Sequence, residues 1–88
     1  MKNEVAEVIL ACRKYHGYTQ AYMAHKLDVT IHSYANIEHG RVDISIPKLY
    51  QISKLLAIKS CQILALAEEI HEAEEHGSLF SALRYMIA

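Results

Sequence analysis

The chain of 88 residues is 52% hydrophobic and 22% charged, a balance too apolar for a disordered tail and too often interrupted by charge for a membrane span. Its length supports one small core rather than two, because separately cored domains rarely fall below about 50 residues. The net charge of −1 is divided unevenly: residues 1–67 carry eight Lys/Arg against five Asp/Glu, and residues 68–88 carry five Glu against Arg84 alone.

A mildly basic body therefore precedes an acidic tail, and the near-neutral total does not exclude a nucleic-acid partner, because the relevant field is local. No charge-free run approaches the roughly 18 apolar residues of a bilayer-crossing helix. Met1-Lys2-Asn3-Glu4 leads into charged amphipathic sequence rather than an apolar leader, which predicts a cytoplasmic protein. The two cysteines, Cys12 and Cys61, cannot build a framework of bridges and read as small buried hydrophobes.

Pro47 is the only proline and Gly17, Gly40 and Gly77 are the only glycines, so breaks are few and the chain should be mostly helical. Asn3 is placed to cap a first helix over about 4–15, with Val5, Val8, Ile9 and Cys12 on one face and Gly17 at its end. Thr19 caps a second over about 20–26, whose apolar face is Tyr22, Met23, Ala24 and Leu27. After a short turn at Leu27-Asp28-Val29, Thr30 caps a third over about 31–39, with Tyr34 and Ile37 inward and Gly40 beyond.

Ser45 precedes Pro47, which a first helical turn tolerates, and Leu49, Ile52, Leu55 and Leu56 make a fourth amphipathic helix over about 46–56. The alternation in Val42-Asp43-Ile44-Ser45-Ile46 resembles a strand, but helix signals bracket it and it reads as a loop. Ser60 is placed to cap a fifth helix reaching Gly77, with Ile63, Leu64, Leu66, Ala67, Ile70 and Ala73 on its apolar face. Ser78 opens a last short helix carrying Leu79, Phe80, Leu83, Met86 and Ile87.

The segment from Arg13 to Thr30 (RKYHGYTQAYMAHKLDVT) resembles the start of the phage repressor and Cro, or XRE, family of helix-turn-helix domains. Ile37-Glu38-His39-Gly40-Arg41 is similar to the end of that family's recognition helix, and Ile46-Pro47-Lys48-Leu49 with Leu55-Leu56-Ala57-Ile58 to its fourth helix. The resemblance covers about residues 4–66. It implies an all-α, five-helix repressor-like domain over 1–66, followed by a helical extension over 67–88. Helical size fits this reading, since a helix about 10 Å wide enters the major groove while a second crosses the backbone.

By that resemblance, Ile31, His32, Ser33 and Asn36 face base edges. Asn36 is the strongest reader, because an amide pairs with both N6 and N7 of adenine. Thr19, Gln20, His39, Arg41 and Lys48 would contact phosphates. Arg13 and Glu38 would form a structural ion pair between the first and third helices, fixing how the recognition helix is presented. Ile31 departs from the family's usual polar residue; it can pack on a thymine methyl or face a protein.

His71, Glu72, Glu75 and His76 sit near one helix end, but their spacing is no known zinc signature and a solvated face is the preferred reading. No metal or cofactor is expected. Nor is catalysis, since no phosphate-cradling glycine loop or nucleophile elbow is present. The apolar tail predicts a homodimer through Ile63, Leu66, Ile70, Leu79, Phe80, Leu83, Met86 and Ile87. The resemblance to phage repressors, with such a dimer, implies a bacterial or phage-encoded regulator that binds a palindromic operator in double-stranded DNA. The alternative is an antitoxin or protein-interaction module of the same fold, whose acidic C-terminal segment binds a partner protein.

Overall fold

The computed structural model describes residues 1–76, with side chains as far as Glu74. It contains α1 (Lys2–His16), α2 (Gln20–Lys26), α3 (Ile31–Glu38), α4 (Ile46–Leu55) and α5 (Ser60–His76), and no strand among the described residues. The last helix expected from Ser78, with Leu79, Phe80, Leu83, Met86 and Ile87, lies outside them.

Hydroxyl caps open α2, α3 and α4. The Thr19 hydroxyl accepts from the Tyr22 amide at 3.0 Å, Thr30 from Ser33 at 3.0 Å and Ser45 from Lys48 at 3.2 Å. Each satisfies an amide that the first helical turn leaves without a backbone partner. Gly17 and Gly40 take left-handed conformations at φ 74° and 68° where α1 and α3 end.

Two expected caps are displaced. Met1, not Asn3, holds the cap position of α1; Asn3 lies within the helix, packed against Gly40. Ser60 is already helical, and the turn is closed instead by Lys59, whose amide donates to Gln62 Oε1 at 3.0 Å. The Ser60 hydroxyl serves packing: it donates to Ser53 Oγ, which donates to the Tyr50 carbonyl.

One core gathers Val5, Val8 and Ile9 of α1, Met23 and Ala24 of α2, Tyr34 and Ile37 of α3, Leu49 and Ile52 of α4, and Ile63 and Ala67 of α5. Ile63, expected at a dimer interface, is instead fully buried in this core, where no partner can reach it. Ile70 also packs against the core from its edge. The apolar face of α5 is narrower than expected, because Leu64 and Leu66 are exposed. Cys61 is exposed rather than buried, and Cys12 is half-buried, where burial pushes its thiol pKa up.

The boundary expected after residue 66 falls inside α5, and Ala67 is in the core, so the start of the extension is part of the domain. At the far end of α5, His71 Nδ1 and Glu4 Oε2 are 2.8 Å apart, tying it to the start of α1.

Candidate nucleic-acid interface

The candidate interface is built on α2, a tight turn and α3. Ala24 is buried to 1% exposure where α2 meets the body, and a small side chain there permits close helix approach. The Val29 amide returns to the Ala24 carbonyl at 3.0 Å. Asp28 supplies the left-handed residue of the turn, at φ 56°, a conformation that Asp tolerates better than most non-glycine residues.

α3 is held by its inner face and open on its outer one. Tyr34 and Ile37 are buried, whereas Ile31, His32 and Ser33 are exposed and Asn36 is half-exposed. Arg41 Nη1 donates to Asn36 Oδ1 over a long 3.4 Å, so the Asn36 amide nitrogen keeps its donors. Ser33 Oγ accepts from the Thr30 hydroxyl at 3.0 Å.

Ser33, Asn36 and Lys48 converge on one open cleft of about 290 Å³ between α3, the loop after it and the start of α4. Val42, Asp43 and Ile44 line it too. Asp43 is not among the site residues that the sequence suggests, and only the folding of this loop beside α3 brings it there. A carboxylate there can accept from cytosine N4 but repels phosphate. Ile31, His32 and His39 lie outside the cleft on exposed positions at the two ends of α3.

Behind this face lies a polar knot. Arg13 Nε donates to Glu38 Oε2 at 2.5 Å and Nη2 to Oε1 at 3.1 Å, while Nη1 donates to the Tyr18 carbonyl at 2.8 Å. Gln20 Nε2 donates to Glu38 Oε1 at 3.1 Å. One N–H of Gln20, expected on phosphate, is therefore committed to the protein, and its second N–H is the donor that remains.

Burial alone would raise the Glu38 pKa, but bonds from Arg13 and further polar neighbours outweigh it and hold the carboxyl below its usual range. The hydrogen bond to Glu38 pushes the Arg13 pKa up. Burial raises the Tyr34 phenol well above its ordinary value, with Glu38 adding to the effect. Its hydroxyl is enclosed with no hydrogen-bond partner of ordinary geometry.

Among the described residues no group of three or more His, Cys, Asp or Glu side chains is arranged to hold a metal. His71 instead faces Glu4. No described helix is long and apolar enough to cross a membrane.

No match was found among curated proteins or solved structures. A family model described as a helix-turn-helix domain matches residues 6–69, a span that contains α2, the turn and α3, the Arg13–Glu38 knot and the first part of α5. With that span matched and its five helices in place, the chain belongs to the helix-turn-helix domain family.

Proposed function

We infer that this chain is a sequence-specific DNA-binding regulator of the phage repressor and Cro type. The observation that carries the reading is α3: its inner face is locked into the core while Ile31, His32, Ser33 and Asn36 stay open on its outer face. Asn36 pairs with adenine, and Ile31, 54% exposed, packs on a thymine methyl. Thr19, the second Gln20 donor, His39, Arg41 and Lys48 set the register through phosphate contacts, which position the protein without reading sequence.

The regulator acts as a homodimer on inverted half-sites, because a two-fold pair places its reading helices about 34 Å apart in successive major grooves. Leu66 and Ile70, with Leu79, Phe80, Leu83, Met86 and Ile87, supply the apolar surface for pairing. The exposure of Leu64 and Leu66 supports this.

Selection of bound duplexes from a random pool tests the reading. The expected result is a motif of two half-sites about one helical turn apart, and a loss of about 1–3 kcal/mol in operator affinity for Asn36→Ala. The exposed Ile31 on the reading face favours a second reading, a protein-binding module. A pool without enrichment, beside a protein partner that binds equally to Asn36→Ala, would select it.

A further inference from the structure

The loop that joins α3 to α4 carries a carboxylate beside α3, and it is pinned along its length. Gly40 rests on Asn3 of α1, and the Arg41 amide donates to the Asn36 carbonyl at 3.0 Å. Ile44 is half-buried against the core, and Ser45 caps α4. Asp43, between these anchors, therefore holds a fixed place in the fold.

That place is shared with two polar side chains of α3. Ser33 and Asn36 stand three residues apart on one helix face, and Asp43 lines the same open cleft of about 290 Å³. Asp43 is exposed. Among the described residues its side chain joins no hydrogen bond or ion pair: Arg41 donates to Asn36 instead, and the carboxylates in ion pairs are Glu4 and Glu38. Lys48 borders the cleft on one side of the loop and Lys2 lines another with Asp43 on the other side, but neither is bonded to it.

A carboxylate without a partner on a DNA-facing loop weakens binding to every duplex, because it repels phosphate. The cost is offset only where a base edge offers a proton, since an ionised carboxylate accepts hydrogen bonds and cannot donate. In the major groove guanine N7 and O6 and thymine O4 are acceptors, adenine sets its N7 acceptor beside the N6 donor, and cytosine offers the N4 donor alone.

We propose that Asp43 is a base-reading residue that selects cytosine next to the adenine read by Asn36. The proposal rests on the DNA-binding reading and adds to it a specificity-determining side chain from outside α3. Asp43 acts as much by rejecting guanine and thymine, whose acceptors face its oxygens, as by binding cytosine.

The test is selection from a random duplex pool with the intact protein, Asp43→Ala and Asp43→Asn, the last of which keeps the shape and gains a donor. Circular dichroism and urea midpoints check that each variant is folded. The expected motif of the intact protein has a cytosine beside the base whose preference Asn36→Ala loses. Asp43→Ala should lose the preference for that cytosine, and Asp43→Asn should admit guanine or thymine there. On duplexes that differ only at this base pair, the intact protein should discriminate by about 5- to 150-fold, and Asp43→Ala should bind them nearly equally. Its affinity for an unrelated duplex should rise.

The same motif from the intact protein and both variants, with Asn36→Ala still impaired, would overturn the assignment of Asp43 and leave the DNA-binding reading standing. A general rise in affinity without a change of motif would also overturn it, since that marks charge repulsion alone. So would a lower urea midpoint for Asp43→Ala with the motif unchanged, which would make Asp43 a brace toward Lys2. Failure of the intact protein to enrich any duplex would overturn both readings.

Discussion

Gly40 ends α3 directly against Asn3 of α1: a Cβ on Gly40 would collide with the Asn3 side-chain oxygen and lie 3.1 Å from its Cα. A position that looks like a simple helix stop is thus also the point where α3 rests on α1. Gly17 shares the left-handed backbone, but a Cβ there would meet nothing within 4 Å. Gly17→Ala should therefore cost only the backbone strain, about 1–2 kcal/mol, whereas Gly40→Ala should cost clearly more. Urea midpoints of the two variants check this; equal losses would show that the Asn3 contact yields freely.

The Arg13 guanidinium holds three acceptors at once. Arg13→Met should destabilise by about 3 kcal/mol or more, because it leaves the buried Glu38 carboxylate without its charge partner. The double variant Arg13→Met/Glu38→Met should recover a large part of that loss. A double-mutant cycle on chemical denaturation reads the coupling directly, and simple additivity of the two single changes would refute it.

Acid should weaken the fold. Glu38 and Glu4 both have lowered pKa values, Glu38 because Arg13 and other donors overcome its burial and Glu4 because of its bond with His71. Since each folded value lies below the unfolded one near 4.5, the unfolded chain binds more protons as pH falls. The stability from these groups is complete above the unfolded value and disappears as pH drops through the folded values. Denaturant titrations from pH 6 to pH 2 should show this decline, and Glu38→Gln should flatten it.

The caps should differ in a way their residue types conceal. Thr30→Ala should cost about 1 kcal/mol, as for a typical cap loss, and Thr30→Ser should be nearly silent. Ser60→Ala removes no cap and loses only the hydroxyl link to Ser53. Gln62→Ala should instead fray the start of α5, because Gln62 accepts from the Lys59 amide. Amide exchange across residues 59–63 distinguishes the two positions.

Much of the architecture was legible in the residue order, for local reasons. Thr19, Thr30 and Ser45 each sit one residue before a helix, where a short hydroxyl side chain competes for the backbone, and Gly17 and Gly40 mark reversals that need a left-handed residue. Spacing of apolar residues set the inward faces of α1, α3 and α4 correctly. It failed on α5, where periodicity alone cannot tell a face that meets its own core, such as Ile63, from one left open, such as Leu66. Two left-handed residues, Asp28 and Ala57, went unmarked because no glycine signals them.

What local order cannot encode is which side chains from different elements meet. The inward turn of Gln20 toward Glu38, the arrival of Asp43 beside Asn36, and the ring contacts from Tyr15 to Tyr22 across the α1–α2 turn all depend on packing angles between helices. Those angles are set by the shared core and by the fork of Arg13 between Glu38 and the Tyr18 carbonyl. The sequence by itself determined the five helices, the caps at Thr19, Thr30 and Ser45, and the inward face of α3. Only the tertiary structure decided which polar side chains stay exposed and which are spent holding α3 in place, because a hydrogen bond or a buried face is a property of two elements together and neither carries it alone.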